Sequence, residues 1–350
     1  TTPPVLTCPS GSPFTKVTAP GVCFYTVVGT EFNPTTTDGC PVTAINDFDG
    51  TNTLAGKQIP SGTTTIIWTA TDGSGNTTTC SIEVTVTDNQ NPTFTQPSGT
   101  FAQSTDPGKC YFTVPGTQFD LRNVADNCNT ITPTYTITKN GLTVFSGSNT
   151  LASLQLPKDA VDPYSIVWTV TDVNGNAVSS TPFTISVEDN QAPNFVCYGN
   201  EIREIPLGSC NYTVSGTEFD AKNITDNCDN TFTISYTLDG NPGAGTSIAG
   251  TVLTGGVHAV VWTVTDQSGN TTNCTFNITV KDLVFPAIST IVDQTKNAPT
   301  NVCFYKTVGT EFDPTVSDNC PTVALVNNQN NSATLADFEF PVGITVVVWT

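Results

Sequence analysis

The chain has 350 residues, of which 37% are apolar, 12 are cysteine and none is methionine. Its 30 acidic and 11 basic residues give a net charge of −19, which argues against nucleic-acid binding and against adsorption to anionic lipid. No apolar run approaches the roughly 20 residues that a membrane-crossing helix requires, and the low apolar content suits thin two-sheet domains rather than a large enzyme core.

One nine-residue stretch recurs. It reads WTATDGSGN at 68–76, WTVTDVNGN at 168–176 and WTVTDQSGN at 262–270, and it begins again at Trp349-Thr350. Apolar residues alternate with neighbours ahead of each turn (Ile66/Trp68/Ala70, Ile166/Trp168/Val170, Val260/Trp262/Val264), which puts the Trp on one face of a strand. Asp-x-x-Gly-Asn is turn chemistry, because Gly and Asn accept positive φ and Asp can bond its own downstream backbone. A second alternating run, Cys80/Ile82/Val84/Val86 in the first copy, completes a hairpin with a buried Trp.

The Trp positions advance by 100, 94 and 87 residues, a period of autonomous-domain size. Four repeats are expected, at 1–90, 91–191, 192–284 and 285–350, the last lacking its final strand. In the first, 5–8 is a short strand, CFYTVVGTEF at 23–32 a second, 42–46 and 53–59 two middle strands, and Pro60-Ser61-Gly62 turns the chain into the Trp hairpin. The second repeat carries CYFTVPGTQF at 110–119, Asp126-Asn127-Cys128 and a longer middle region. The third has CNYTVSGTEF at 210–219 and Asp226-Asn227-Cys228, and the fourth CFYKTVGTEF at 303–312 and Asp318-Asn319-Cys320. A sandwich ending at Thr350 leaves a free edge, and the chain shows no leader, so it reads as an internal piece of a longer exported protein. Short strands, a core Trp and no helical periodicity predict an all-β fold: tandem immunoglobulin-like β-sandwich domains in an extended, disulfide-stapled array.

The cysteines recur at fixed places, as in a disulfide framework of an oxidising compartment. Cys23/Cys40, Cys110/Cys128, Cys210/Cys228 and Cys303/Cys320 share a spacing of 17 or 18 positions, which suggests pairing within each repeat. Cys8 and Cys80 occur together, as do Cys197 and Cys274, and the second repeat lacks both, with Gln96 at one place and Ser180 or Thr181 at the other. Cys8–Cys80 and Cys197–Cys274 are therefore expected to tie first strand to last. With no CxxC and one histidine in all, the sequence offers neither a zinc site nor a base for a cysteine nucleophile. His258 has no recurring catalytic partner, and no enzymatic activity is expected.

A cation site is the more plausible chemistry. Acids gather at the inter-repeat joints (Asp88-Asn89, Glu188-Asp189, Asp282), in the Asp-x-x-Gly-Asn turns, and at Glu31, Glu218 and Glu311 of the GTEF stretch. Calcium takes six to eight oxygens, and Asp88, Asn89, Glu188, Asp189 and Asp282 are the candidate ligands at the joints.

Pro-x-x-x-Cys, Asp-Asn-Cys, Phe-Pro-Val-Gly at 340–343, Trp-Thr-Val-Thr-Asp-x-x-Gly-Asn-x-x-x-Cys and Val-x-Val-x-Asp-Asn-Gln-x-Pro together resemble the hyalin repeat (HYR) family, over essentially the whole chain. The resemblance implies an immunoglobulin-like module found in tandem in extracellular adhesion proteins. The Trp and the extra GTEF-to-DNC cysteine pair resemble the variant in very large Bacteroidetes surface proteins, including flavobacterial gliding-motility adhesins. Departures are Asn33 and Gly39 in the first repeat, and the missing first-to-last cysteines in the second. The expected function is a non-enzymatic stalk of a secreted or cell-surface adhesin. Its partner would be a surface, polysaccharide or protein, with lateral self-association into fibres. The alternatives are an accessory region of a secreted hydrolase, or a receptor ectodomain whose second repeat would form a concave, aromatic-lined loop.

Overall fold

The computed structural model describes residues 2–128, 131–321 and 323–350, and every regular element among them is a β-strand. The chain divides into two compact units, Thr1–Asp189 and Asn190–Thr350.

The first unit holds two large sheets with separate cores, each accompanied by two-stranded ladders. In the first sheet the spatial order is Phe14–Val17, Thr77–Thr87, Gly62–Thr71, Thr43–Asn46, with only Phe14–Val17 parallel to its neighbour. Two short ladders, Val5–Thr7 with Thr35–Thr37 and Phe24–Thr26 with Gln58–Pro60, form the opposing layer. Leu6, Tyr25 and Ile59 from that layer pack with Ile66, Trp68, Ile82 and Val84 of the sheet, which makes the pair of layers a sandwich. The second sheet orders Thr100–Ser104, Phe183–Glu188, Asp159–Thr171, Thr132–Lys139, Leu142–Ser148. Its longer middle region forms Leu142–Ser148, an additional strand that widens the sheet rather than a concave loop. The second unit repeats the plan with Glu201–Glu204, Thr271–Lys281, Gly256–Thr265, Thr233–Leu238 and Asn241–Pro242.

The Trp hairpin sits at the centre of each core. Trp68, Trp168 and Trp262 are 0% exposed. Trp168 and Trp262 donate their indole N–H to the carbonyls of Phe119 and Phe219, at 3.0 and 2.9 Å, so these two hairpins are bonded to the end of the GT-Gln/Glu-Phe stretch, whereas the buried Trp68 N–H has no partner. Across the sheet Tyr135 faces Trp168 and Tyr236 faces Trp262, with ring centroids 5.2 and 4.9 Å apart. Each Tyr ring lies against a glycine, Gly147 or Gly243, where a Cβ would strike it. Gly243→Ala should therefore cost about 1–3 kcal/mol by forcing Tyr236 off Trp262, read as a lower urea midpoint for the second unit.

The second strand is shorter than the sequence suggests. It covers Phe24–Thr26, and GTEF is a turn, because Gly29 has φ of +56° and Glu31 accepts the Val28 N–H at 2.9 Å. The strand expected at 53–59 is likewise confined to Gln58–Pro60. In 285–350 the described residues form two two-stranded ladders and one bridge, Asn327 with Trp349, and Leu335 is their one fully buried apolar side chain.

Cys8–Cys80 and Cys197–Cys274 link the first strand to the last, with Cα atoms 6.0 and 5.6 Å apart. In the second repeat a hydrogen bond takes their place, the Thr181 N–H donating to Gln96 Oε1 at 3.0 Å. The other pairings differ from expectation. Cys23 bonds Cys128, not Cys40, and Cys210 bonds Cys320, not Cys228, with Cα separations of 4.6 and 4.8 Å. Cys110–Cys128 and Cys303–Cys320 do not form either, since Cys128 and Cys320 are committed elsewhere, and Cys40 and Cys303 are free, exposed thiols. The physical reason is that the Asp-Asn-Cys loop docks on the preceding repeat. The Asn127 amide donates to the Val22 carbonyl at 3.1 Å, and that of Asn319 to the Ser209 carbonyl at 2.8 Å. A spacing that recurs in every repeat is equally consistent with partners one repeat apart.

Candidate metal centre

The joint between the first two repeats begins where Thr77–Thr87 ends. Asp88 is 5% exposed. Its Oδ1 accepts from the Thr18 hydroxyl (3.0 Å), the Gln90 N–H (3.1 Å) and the Asn127 amide (3.2 Å), while its Oδ2 is buried with no hydrogen-bond partner. Asp126 arrives on the Asp-Asn-Cys loop, which the Cys23–Cys128 bond pins in place. Its Oδ2 accepts the Cys128 N–H at 2.9 Å, and its Oδ1 too is buried and unpartnered. Asp172 opens the hairpin turn. Its Oδ1 accepts the N–H groups of Asn174 and Asn176 (2.9 and 2.8 Å), and its Oδ2 accepts the Asn176 amide (2.7 Å). That same amide donates to the Asp88 carbonyl at 3.1 Å, which ties turn to joint.

One carboxylate oxygen from each of Asp88, Asp126 and Asp172 lies within 4.8 Å of the other two. Oxygens held about 2.3–2.6 Å from one calcium ion can be up to about 5 Å apart, so the spacing fits a shared ion. Three clustered carboxylates repel one another, and burying an oxygen without a donor is costly. Among the described residues no Lys or Arg pairs with any of the three. A hard divalent cation would answer both problems at once. The second unit holds a related group: oxygens of Asp226, Asp229 and Asp266 also lie within 4.8 Å of one another, and Asp226 Oδ2 is buried and unpartnered.

The other candidates have different surroundings. Asn89 is exposed beside Asp88. The Glu188 carbonyl accepts the Thr105 N–H at 2.9 Å, and buried Asp189 has Lys158 Nζ at 3.9 Å. Asp282 is exposed, accepting from the Val284 N–H (3.0 Å) and the Asn319 amide (3.3 Å). The GTEF glutamates are taken up by structure. Glu31 accepts from Tyr25 OH and Lys16 Nζ, both at 2.6 Å, and Glu311 from Tyr305 OH (2.8 Å) and Lys296 Nζ (2.7 Å). Glu218 takes Tyr212 OH at 2.6 Å and Arg203 at 3.3 Å. Lys296 beside Glu311 holds its carboxyl down at about 2. In each case the basic residue precedes the glutamate by 15 positions, and in the second repeat both places carry glutamine, Gln103 and Gln118. That covariation was a readable signal of an ion pair rather than a metal ligand. Asp126 was the ligand candidate that sequence reasoning missed, because its motif read as part of a disulfide frame.

His258 lies in Gly256–Thr265, with Nδ1 2.8 Å from Asp239 Oδ2 and Nε2 2.9 Å from the Thr254 carbonyl. Both ring nitrogens are thus engaged in structure. Burial pushes its pKa down, but the hydrogen bonds to Asp239 and Thr254 outweigh that and raise it above 6.5. A raised value means the contribution is fully present below about 6.5 and is lost as pH rises through the folded value. The imidazole protons of this sole histidine should titrate above pH 6.5 by NMR, and Asp239→Asn should lower that midpoint.

Comparison with known proteins places the whole. The HYR domain family matches residues 1–86 and 188–280, just over half of the sequence. The chain belongs to the HYR domain family. Two sea-urchin proteins named hyalin are similar to this HYR chain. That of Strongylocentrotus purpuratus is 30% identical over 363 positions, covering 99% of this chain and 26% of that protein. That of Lytechinus variegatus is 29% identical over 337 positions, covering 91% and 54%. The HYR chain thus spans about a quarter and about half of these relatives. Among solved structures, Drosophila N-cadherin EC1-3 shares 17% identity at a TM-score of 0.31, covering 77% of this chain and 97% of that one. Protocadherin gamma B2 domains 3-6 share 14%, also at 0.31, covering 93% and 86%. Likenesses this weak bear on neither function nor partner. Neither hyalin is a bacterial adhesin, and the second cysteine pair behind that narrower resemblance joins neighbouring repeats instead of lying within one.

Proposed function

We propose that this HYR chain is a non-enzymatic segment of an extracellular, adhesion-related repeat protein, built to transmit tension between repeats that are covalently clasped and cross-braced by calcium. The observation that carries the reading is the coincidence, at the first joint, of the Cys23–Cys128 bond with three carboxylates of which two present buried, unpartnered oxygens. A disulfide alone resists separation of the repeats. A cation shared by the joint, the docking loop and the hairpin turn would in addition resist bending, because its ligands come from three separate segments. The HYR family match and the similarity to the hyalins support the extracellular adhesive setting, and the cysteine framework supports an oxidising compartment. The ligand is a surface, a polysaccharide or a protein, and gliding motility forms no part of the proposal.

Single-molecule pulling between the chain ends tests the mechanical reading. The 105-residue separation of Cys23 and Cys128 shields that segment from extension. Reduction should release more than the roughly 35–38 nm that 105 residues span at 3.3–3.6 Å per residue, because Cys8–Cys80, Cys197–Cys274 and Cys210–Cys320 open as well, and chelating calcium should lower the force at which the first joint yields. Equal traces in oxidised and reduced samples would exclude a clasp that bears tension.

A further inference from the structure

The second repeat departs from the others around its GTQF stretch, and a cleft lies beside the departure. In the first repeat Glu31 collects three donors: the Tyr25 hydroxyl, Lys16 Nζ and the Val28 N–H. The third and fourth repeats assemble the same set of tyrosine, basic residue and backbone N–H around Glu218 and Glu311. The second repeat changes all four members together. Phe112 has no hydroxyl, Gln103 has no charge, Pro115 has no N–H, and the glutamate is Gln118. Gln103 turns its amide to the Ala102 carbonyl at 2.8 Å, and Gln118 is exposed. The adjoining cleft, of about 240 Å³, is lined by Gln96, Phe101, Gln118, Asp120 and Arg122 among others. Arg122 opens the strand Arg122–Ala125, is exposed, and has no ion pair among the described residues. Asp120 is 6% exposed, its Oδ2 accepting the Thr150 hydroxyl at 2.6 Å and its Oδ1 the Leu151 N–H at 2.8 Å. Phe101 is half-buried and held edge-on against Phe119, with ring centroids 5.1 Å apart.

We infer that this cleft binds one neutral pyranose unit of a polysaccharide, which rests on the adhesive reading above and gives it a ligand class. A pyranose offers hydroxyls that both donate and accept, together with an apolar C–H face. The lining answers each part. The Gln118 amide carries donor and acceptor side by side, the Arg122 guanidinium donates, and each Asp120 oxygen has a second lone pair for a sugar hydroxyl. Phe101 supplies the apolar wall, and its packing on Phe119 fixes the ring in advance of binding. Size narrows the ligand, because pockets for drug-sized molecules span roughly 300–1,000 Å³ and this cleft is smaller, room for a single ring. Charge decides between neutral and acidic sugars. The net charge of −19 and the Asp120 carboxylate in the wall repel a uronate or a sulfated unit more than one guanidinium attracts it.

The test is saturation-transfer NMR on the full chain, with the methyl glycosides of glucose, galactose and mannose as probes and that of glucuronic acid as the acidic counterpart. At least one neutral glycoside should take up saturation, most strongly at its ring C–H protons. Arg122→Ala should weaken that binding roughly tenfold, the effect of one charge-assisted hydrogen bond. The triple variant Gln103→Lys/Phe112→Tyr/Gln118→Glu rebuilds the ion pair of the other repeats across the cleft and should abolish binding, with the urea midpoint of the first unit showing that it folds. No transfer to any neutral glycoside, a stronger response from the glucuronic acid glycoside, or binding that survives either variant would overturn the assignment. None of these outcomes alters the pulling test, which depends on Cys23–Cys128 and the joint carboxylates, so the sugar site and the tension-bearing reading fail separately.

Discussion

Trp168→Ala should cost the second repeat about 3–5 kcal/mol, the largest effect expected of any single substitution outside the disulfides. The indole is fully buried between Tyr135 and the residues of the opposing layer, so its removal leaves a cavity that a thin sandwich closes poorly. It also strands the Phe119 carbonyl, which loses the indole N–H it now accepts at 3.0 Å. Domains of this size are stable by about 5–15 kcal/mol, so the loss is a large share of the total. Hydrogen exchange is the suitable readout, because it reports each repeat separately. Amides of 100–188 should exchange faster by two or more orders of magnitude, while those of the second unit stay unchanged. Trp168→Phe, which keeps most of the packing and loses the donor, should fall between.

The second large effect is loss of the clasp. Converting both Cys23 and Cys128 to Ser opens a loop of 105 residues, and the chain-entropy estimate for a loop of that size is about 4.7 kcal/mol. The urea midpoint of the first unit should fall accordingly, and the slope should rise, because the unlinked denatured chain exposes more surface. Cys40→Ser should stay within about 0.5 kcal/mol of the unaltered chain, as for an exposed side chain without a structural partner. Pairing within repeats would instead make Cys40→Ser strongly destabilising as well.

The alternation of residues around Trp68, Trp168 and Trp262 made the hairpin legible, because burial on one face forces a period of two. Cys8–Cys80 could be inferred from co-occurrence, since a cysteine without its partner has no structural use. The Cys23 and Cys128 partnership could not be inferred that way. Every repeat carries both kinds of cysteine, so presence and absence never separate a partner at 17 residues from one at 105. The acids posed a similar problem. Asp88 and Asp172 stood in motifs already suspected of holding a cation, but only the docking of the Asp-Asn-Cys loop brings Asp126 to them. Glu31 drew suspicion by recurring, and it recurs because it closes a turn and pairs with Tyr25 and Lys16.

Calcium at the first joint is the central claim, and isothermal titration of calcium into the oxidised chain tests it most directly, comparing the unaltered protein with Asp88→Asn/Asp126→Asn. Asparagine keeps the shape and removes the charge at the two carboxylates that carry the unpartnered oxygens. Saturable binding whose stoichiometry falls by one in the double variant is the predicted result. At calcium about 100 times the dissociation constant it should be matched by roughly 2.7 kcal/mol of calcium-dependent stabilisation in the first unit that the variant lacks. Identical stoichiometry in the two proteins, or no binding to either, would contradict it.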